Sequence, residues 1–232
     1  MTLVLEIEYL TGVAYAAIGP DSDAPDWPAQ PDRIFSALVA TWAARGERDE
    51  ECRALEWLEA QPVPRVVASD AFARTARVSF VPPNDPSSGR SGEPAVMPHL
   101  RRRQPRRFPA ARPHDPVVRL LWTDADPGDE VLSALEGLAA DMAYVGHSAS
   151  LTRCRFLRLD DSSMGPEGRL PKRSIYRGRL AELQAAFGAG RRPLSGATVK
   201  PEAPVDKTPF HSTFGDRWLL LEHVSGEMPD IR

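Results

Sequence analysis

Strand, helix, strand, a long unpatterned arm, then strand, helix, strand: this succession of hydrophobic periods predicts an α+β fold, a βαββαβ ferredoxin-like unit whose central hairpin is lengthened into an arm. Three observations carry the expectation. Apolar residues alternate in the outer segments, helical stripes lie between them, and about 30 residues in the middle show neither period. A loop of that length inside a compact domain is uncommon and is usually functional or ordered on binding. The chain divides into residues 1–160, the ferredoxin-like domain with its arm at 82–115, and residues 161–232, a C-terminal extension of a helix and a strand.

Each element has its own warrant. Leu3, Leu5, Ile7 and Tyr9 alternate with polar or smaller residues, as a half-buried strand requires. Pro31 suits the first turn of a helix. Ile34, Phe35, Leu38, Val39 and Trp42 then form one stripe, and Gly46 ends it. A second helix is predicted over 49–60, with Cys52, Leu55 and Leu58 inward. Residues 63–69 and 75–81 read as extended, 82–115 as aperiodic, and 117–122 as a β-rich run. Val131, Leu132, Leu135, Leu138 and Met142 make a stripe across a helix at 129–144. Residues 151–159 alternate again. A short helix is predicted at 177–187, a loop at 188–209 and a last strand at 217–224.

The net charge of −3 conceals a strong asymmetry. Residues 1–60 carry four arginines against twelve acidic groups. Residues 90–119 carry eight arginines against two acidic groups, and residues 151–192 ten basic groups against four. Charge segregated in this way points to a polyanion that touches only part of the surface. Lys172, Lys200 and Lys207 are the only lysines. Arginine suits bidentate phosphate contact and stacking; a GC-rich coding bias explains the choice of base but not the clustering.

Several classes are excluded. The apolar runs are far shorter than a membrane span. Met1 to Glu8 lacks a basic n-region and is interrupted by Glu6 and Glu8, so no secretory signal is expected and a cytoplasmic location is. Cys52 and Cys154 cannot by themselves build a disulfide framework or a zinc site. Asp160-Asp161 lacks further ligands, and His211 and His223 lack ligand spacing with a cysteine. There is no Walker loop, dinucleotide fingerprint or G-x-S-x-G elbow. No metal or cofactor is expected.

Four segments combine residues suited to nucleic acid. The arm carries Arg101, Arg102, Arg103, Arg106, Arg107 and Phe108, dense cations beside a ring that can stack on unpaired bases. Tyr144-Val145-Gly146-His147-Ser148-Ala149-Ser150, followed by Arg153, offers a close-approach glycine and hydroxyl and imidazole donors for a phosphate; it is equally an ordinary tight turn. Lys172, Arg173 and Arg177 flank a helix start, which itself favours anions. Arg33, beside Trp27-Pro28, either supports the first helix or meets a phosphate. His147 is also the candidate acid or base for RNA cleavage, but one histidine is a fragment of the base, acid and charge stabilisation that attack by the 2′-hydroxyl needs.

Ordered stretches resemble a known family. They are Leu5-Glu6-Ile7-Glu8-Tyr9-Leu10-Thr11-Gly12, Pro31-Asp32-Arg33-Ile34-Phe35, Ala54-Leu55-Glu56-Trp57-Leu58, Val81-Pro82-Pro83-Asn84-Asp85, Arg103-Gln104-Pro105-Arg106-Arg107-Phe108-Pro109, Tyr144 to Leu151, and Gly178-Arg179-Leu180-Ala181-Glu182-Leu183. Together they resemble the N-terminal, Cas family 5-like half of the fused Cas family 5–family 6 subunit of type I-G (formerly I-U) CRISPR interference complexes. The resemblance implies the RRM-like RAMP architecture. It also implies an RNA-binding role in antiviral defence: holding the 5′ handle of the CRISPR RNA within Cascade, with the backbone and large subunits as partners and the arm as thumb. The chain ends at Met228-Pro229-Asp230-Ile231-Arg232, where the family 6-like half would begin. Processing activity is therefore expected in that half rather than in this chain. A metal-independent endoribonuclease using His147 and a mainly structural docking module stay as alternatives.

Overall fold

The computed structural model describes residues 1–19, 22–74, 78–81, 103–159, 168–191 and 196–199. At its centre, strand β1 (Thr2–Tyr9) lies between β8 (Val117–Thr123) and β9 (Thr152–Leu159), and β3 (Arg65–Ala68) pairs with the far side of β8. All three pairings are antiparallel. In chain order the sheet reads second, third, first, fourth. The sequence alternation sets the register: Leu5 faces Leu120 and Phe156, and Ile7 faces Val118 and Cys154. All six are buried. A slip of one residue would exchange them for Glu6 and Glu8.

Helices α1 (Pro31–Ala44), α2 (Asp49–Glu59) and α3 (Asp129–Asp141) share a core with the apolar sheet residues. Phe35, Leu38 and Trp42 come from α1, Leu55 and Leu58 from α2, Leu135 and Leu138 from α3. Truncating a fully buried residue such as Phe35 or Leu5 to alanine costs about 2–5 kcal/mol at sites of this kind. Pro31 opens α1, and Gly46, at φ +89°, lies just past its end. Asp49, Glu50 and Glu51 in the first turn of α2 complement its dipole. Arg45 ties the three helices together, donating to Glu51 Oε1 at 2.7 Å and pairing with Asp141. The Glu51 bond is the main reason its guanidinium holds its proton more firmly than usual.

The periodicity predicts α3 as far as Tyr144, yet it stops at Asp141. Thr152 of β9 captures the next carbonyls: its hydroxyl donates to Met142 O at 3.2 Å and its amide to Ala143 O at 2.9 Å.

A second sheet orders β2 (Ala14–Tyr15), β7 (Ala110–Pro113) and β4 (Ala71–Arg74), and a hairpin pairs β5 (Val78–Val81) with β6 (Gln104–Arg107). Here the structure departs from expectation. The described part of the aperiodic arm holds two strands, and β2 and β4 were not predicted. Gln-Pro-Arg-Arg and Ala-Ala-Arg-Pro have no apolar alternation; strands distant in sequence supply their backbone partners. Helix α4 (Arg179–Gly188) falls close to its predicted place and packs on α2, and β10 (Arg173–Ser174) pairs with β11 (Ala197–Thr198). Arg169 exchanges both backbone hydrogen bonds with Val66, stitching the start of the extension to β3. The predicted strand at 217–224 and residues 82–102 of the arm lie outside the described residues. Among the described residues no helix is long and apolar enough to cross a membrane.

Candidate nucleic-acid interface

The turn between α3 and β9 rests directly on β2. Gly146 has φ +88°, and a Cβ there would lie 3.0 Å from Tyr15 O. Only glycine lets the two backbones approach so closely without strain. The His147 amide donates to the same carbonyl at 3.1 Å. Ser150 clamps Tyr15 from the other side: its hydroxyl accepts from the Tyr15 amide at 2.7 Å and donates to Tyr15 O at 3.3 Å. Ser150 is fully buried, so its hydroxyl serves the fold. His147 and Ser148 are exposed. His147 Nδ1 accepts from the Ala149 amide at 3.1 Å, which leaves Nε2 as the nitrogen open to an outside partner.

The arm meets this turn at its base. Phe108, directly after β6, packs edge-on against His147 with centroids 5.0 Å apart and keeps 38% of its surface exposed. Tyr15 stands 6.2 Å from the same imidazole, and Arg74 donates to the Tyr15 hydroxyl at 2.8 Å. Arg103 and Arg106 are exposed; Arg106 donates to Gln104 Oε1 at 3.2 Å. Arg107 pairs with Asp23. Among the described residues no carboxylate pairs with Arg103 or Arg106. Arg101 and Arg102 lie outside the described residues. Two segments that the sequence offers separately, the arm and the glycine-serine turn, therefore form one surface.

Arg33 and Arg173 turn inward instead. Asp26, with only 3% of its side chain exposed, accepts from Arg33 at 3.1 Å and from Arg173 at 2.7 Å. Arg173 Nε also donates to Asp32 at 3.1 Å, and Arg33 to Ala17 O at 2.9 Å. Burial works against the charge on Arg173, but the two aspartates outweigh it and its affinity for its proton rises. Asp32 further accepts the Gly196 amide at 2.9 Å, where a Cβ would come within 2.3 Å of Asp32 Cβ. Gln30 Oε1 accepts from the amides of Lys172 and Arg173. Trp27 packs against Tyr9 and donates to Ser69 O. This clasp seats the extension on the start of α1.

The remaining candidates are dispersed. Lys172 and Arg177 are exposed. The N-terminus of α4 already has an anion, since Glu59 of α2 accepts from the amides of Gly178 and Leu180, each at 2.7 Å. On the open face of the main sheet, Arg153 pairs with Glu8, and Glu6 sits between Arg119 and Arg155. Burial raises the Glu6 carboxyl, but these two guanidiniums outweigh it and the group titrates below the usual range. Among the described residues no cluster of three histidine, cysteine, aspartate or glutamate side chains could hold a metal. Sequence reasoning missed Tyr15 and Arg74. A two-residue strand has no period to detect, and the alternation in Ala71-Phe72-Ala73-Arg74 was the one local signal.

These features define an α+β domain that presents cations and rings together on one surface. The chain belongs to the GSU0054 family of CRISPR-associated proteins, whose profile matches residues 5–210, and so has a part in CRISPR–Cas defence. None of the curated proteins matches it.

Proposed function

We propose that this chain is an RNA-binding subunit of a type I interference complex, Cascade, and holds the 5′ handle of the CRISPR RNA. One observation carries the reading: Phe108 of the arm, His147 of the glycine-serine turn and Tyr15 of β2 converge beside exposed Arg103 and Arg106. Rings take unpaired bases at about 1–3 kcal/mol each, and guanidiniums take phosphates. Ser148 adds a polar group beside His147, Lys172 and Arg177 are further exposed cations, Arg33, Arg173 and Ser150 organise the fold, and Arg153 is paired with Glu8 on the open face of the main sheet. The second–third–first–fourth antiparallel order supports the ferredoxin-like, RAMP reading. Family membership supports participation in a CRISPR complex; the sequence resemblance adds the other subunits of a type I-G complex as partners and the cytoplasm as the location.

The test is a salt titration of binding to a repeat-derived RNA. Affinity falls steeply with salt, and replacing Arg101, Arg102, Arg103, Arg106 and Arg107 with alanine flattens the slope. Unchanged binding in the variant refutes the reading. Cleavage has one observation in its favour, the grouping of His147, Tyr15 and Arg74 as base, acid and cation. Absence of specific products from repeat RNA in EDTA excludes it.

A further inference from the structure

We infer that the outer face of the β2–β7–β4 sheet is a second stacking subsite for single-stranded RNA, centred on Phe72. The inference rests on the RNA-binding reading and extends its surface to residues that the sequence did not single out.

Phe72 is 67% exposed, although a phenyl ring on a strand is ordinarily buried against something. His114 meets it edge-on, centroids 4.9 Å apart at 66°, and so fixes its orientation while most of the ring stays open. Arg112 lies directly opposite Phe72 across the β4–β7 pairing and is exposed. Side chains opposite one another in a ladder share a face. Arg74, two residues along β4 from Phe72, points to that face too. Thr11, Val13 and Ala73 complete the lining of a shallow concavity around these groups. Among the described residues no carboxylate pairs with Arg74 or Arg112, whereas β9 on the main sheet meets glutamates.

The face also continues the first site. Phe108 touches His147, His147 lies beside Tyr15, the Tyr15 hydroxyl accepts from Arg74, and Arg74 shares its strand face with Phe72. Rings therefore run from the arm base across the sheet to His114, with Arg74 and Arg112 among them. A chain of unpaired nucleotides offers a partner for each kind of group, flat bases for the rings and phosphates for the cations. Rings and arginines also suit protein interfaces; two guanidiniums with no carboxylate partner among the described residues, beside an open ring, favour an occupant that carries both flat rings and phosphates. Single-stranded RNA is the occupant that complements both the rings and the charge.

The experiment measures fluorescence anisotropy of repeat-derived single-stranded RNA with the full chain over a salt series. Phe72→Ala weakens binding about tenfold with an unchanged salt slope, Phe72→Tyr restores it, and Arg112→Ala lowers the slope by about 0.7, one phosphate on a single strand. Thermal midpoints matching wild type confirm that these exposed changes leave the fold intact. If Phe72→Ala and Arg112→Ala bind like wild type while the arm variant loses affinity, this subsite is wrong and the arm-base reading stands. If the arm variant also binds like wild type, the RNA-binding reading itself fails.

Discussion

Two groups of arginines in this chain look alike in sequence and behave as opposites in the fold. Arg33 and Arg173 close onto Asp26 and Asp32, in a clasp whose carboxylates are almost fully buried. Arg103, Arg106 and Arg112 stand at the arm base and on the second sheet with no carboxylate paired to them among the described residues. The clasp pairs its charges internally, with Asp32 Oδ1 and Arg33 Nε left without a hydrogen bond among the described residues, and holds the extension to α1. The outer strip leaves its charges for something anionic. A basic cluster in a sequence is therefore a supply of charge, and the carboxylates the fold brings near decide how much of it faces outward.

The contrast makes its largest claim on stability. Asp26→Ala leaves two guanidiniums without their shared carboxylate. Removing one partner of a buried pair costs 3–5 kcal/mol; Arg33 is partly exposed, so we expect about 2–4 kcal/mol in urea denaturation. RNA affinity of the folded protein stays within a factor of two, because the Asp26 carboxylate is taken up by Arg33 and Arg173, neither of which belongs to the strip. A loss of affinity without loss of stability would erase the distinction between the two groups.

Gly146→Ala comes next. It forces a Cβ to within 3.0 Å of Tyr15 O at a left-handed backbone position, with a cost of about 1–2 kcal/mol. Since the turn carries His147, this variant weakens RNA binding as well as lowering the thermal midpoint. An effect on the midpoint alone would detach the turn from the interface.

The smallest effect belongs to the open face of the main sheet. Glu6→Gln removes the carboxylate between Arg119 and Arg155, worth less than about 1 kcal/mol for so exposed a pair of arginines. The sign with pH follows from the direction of the shift. Glu6 titrates lower in the folded chain than in the unfolded one, so its contribution is present above the ordinary glutamate value of about 4.3 and is lost as pH falls through the lower folded value. Stability curves of wild type and Glu6→Gln should converge in acid. A difference that grows on acidification would contradict the pairing.

Much of the fold was legible from local pattern. Leu3 to Tyr9 alternate and form β1, the Ile34 to Trp42 stripe forms α1, and Gly46 lies just past its end. β2 and β4 were not legible: two residues give no period, the four of β4 give only a brief alternation, and their hydrogen bonds go to β7, far along the chain. Within the site, Phe108 and His147 were legible as separate chemical opportunities. Tyr15, Arg74 and Phe72 were not, because their importance lies in what stands beside them.

The amino-acid order by itself determined which faces are apolar, where α1 begins and stops, and that arginines gather in two blocks, since each of these depends on neighbours a few residues apart. Tertiary structure decided which guanidiniums of the clasp are neutralised and which of the strip are not. Asp26 and Arg173 are 147 residues apart in the chain and 2.7 Å apart in space, and the strength of an ion pair depends on the second distance.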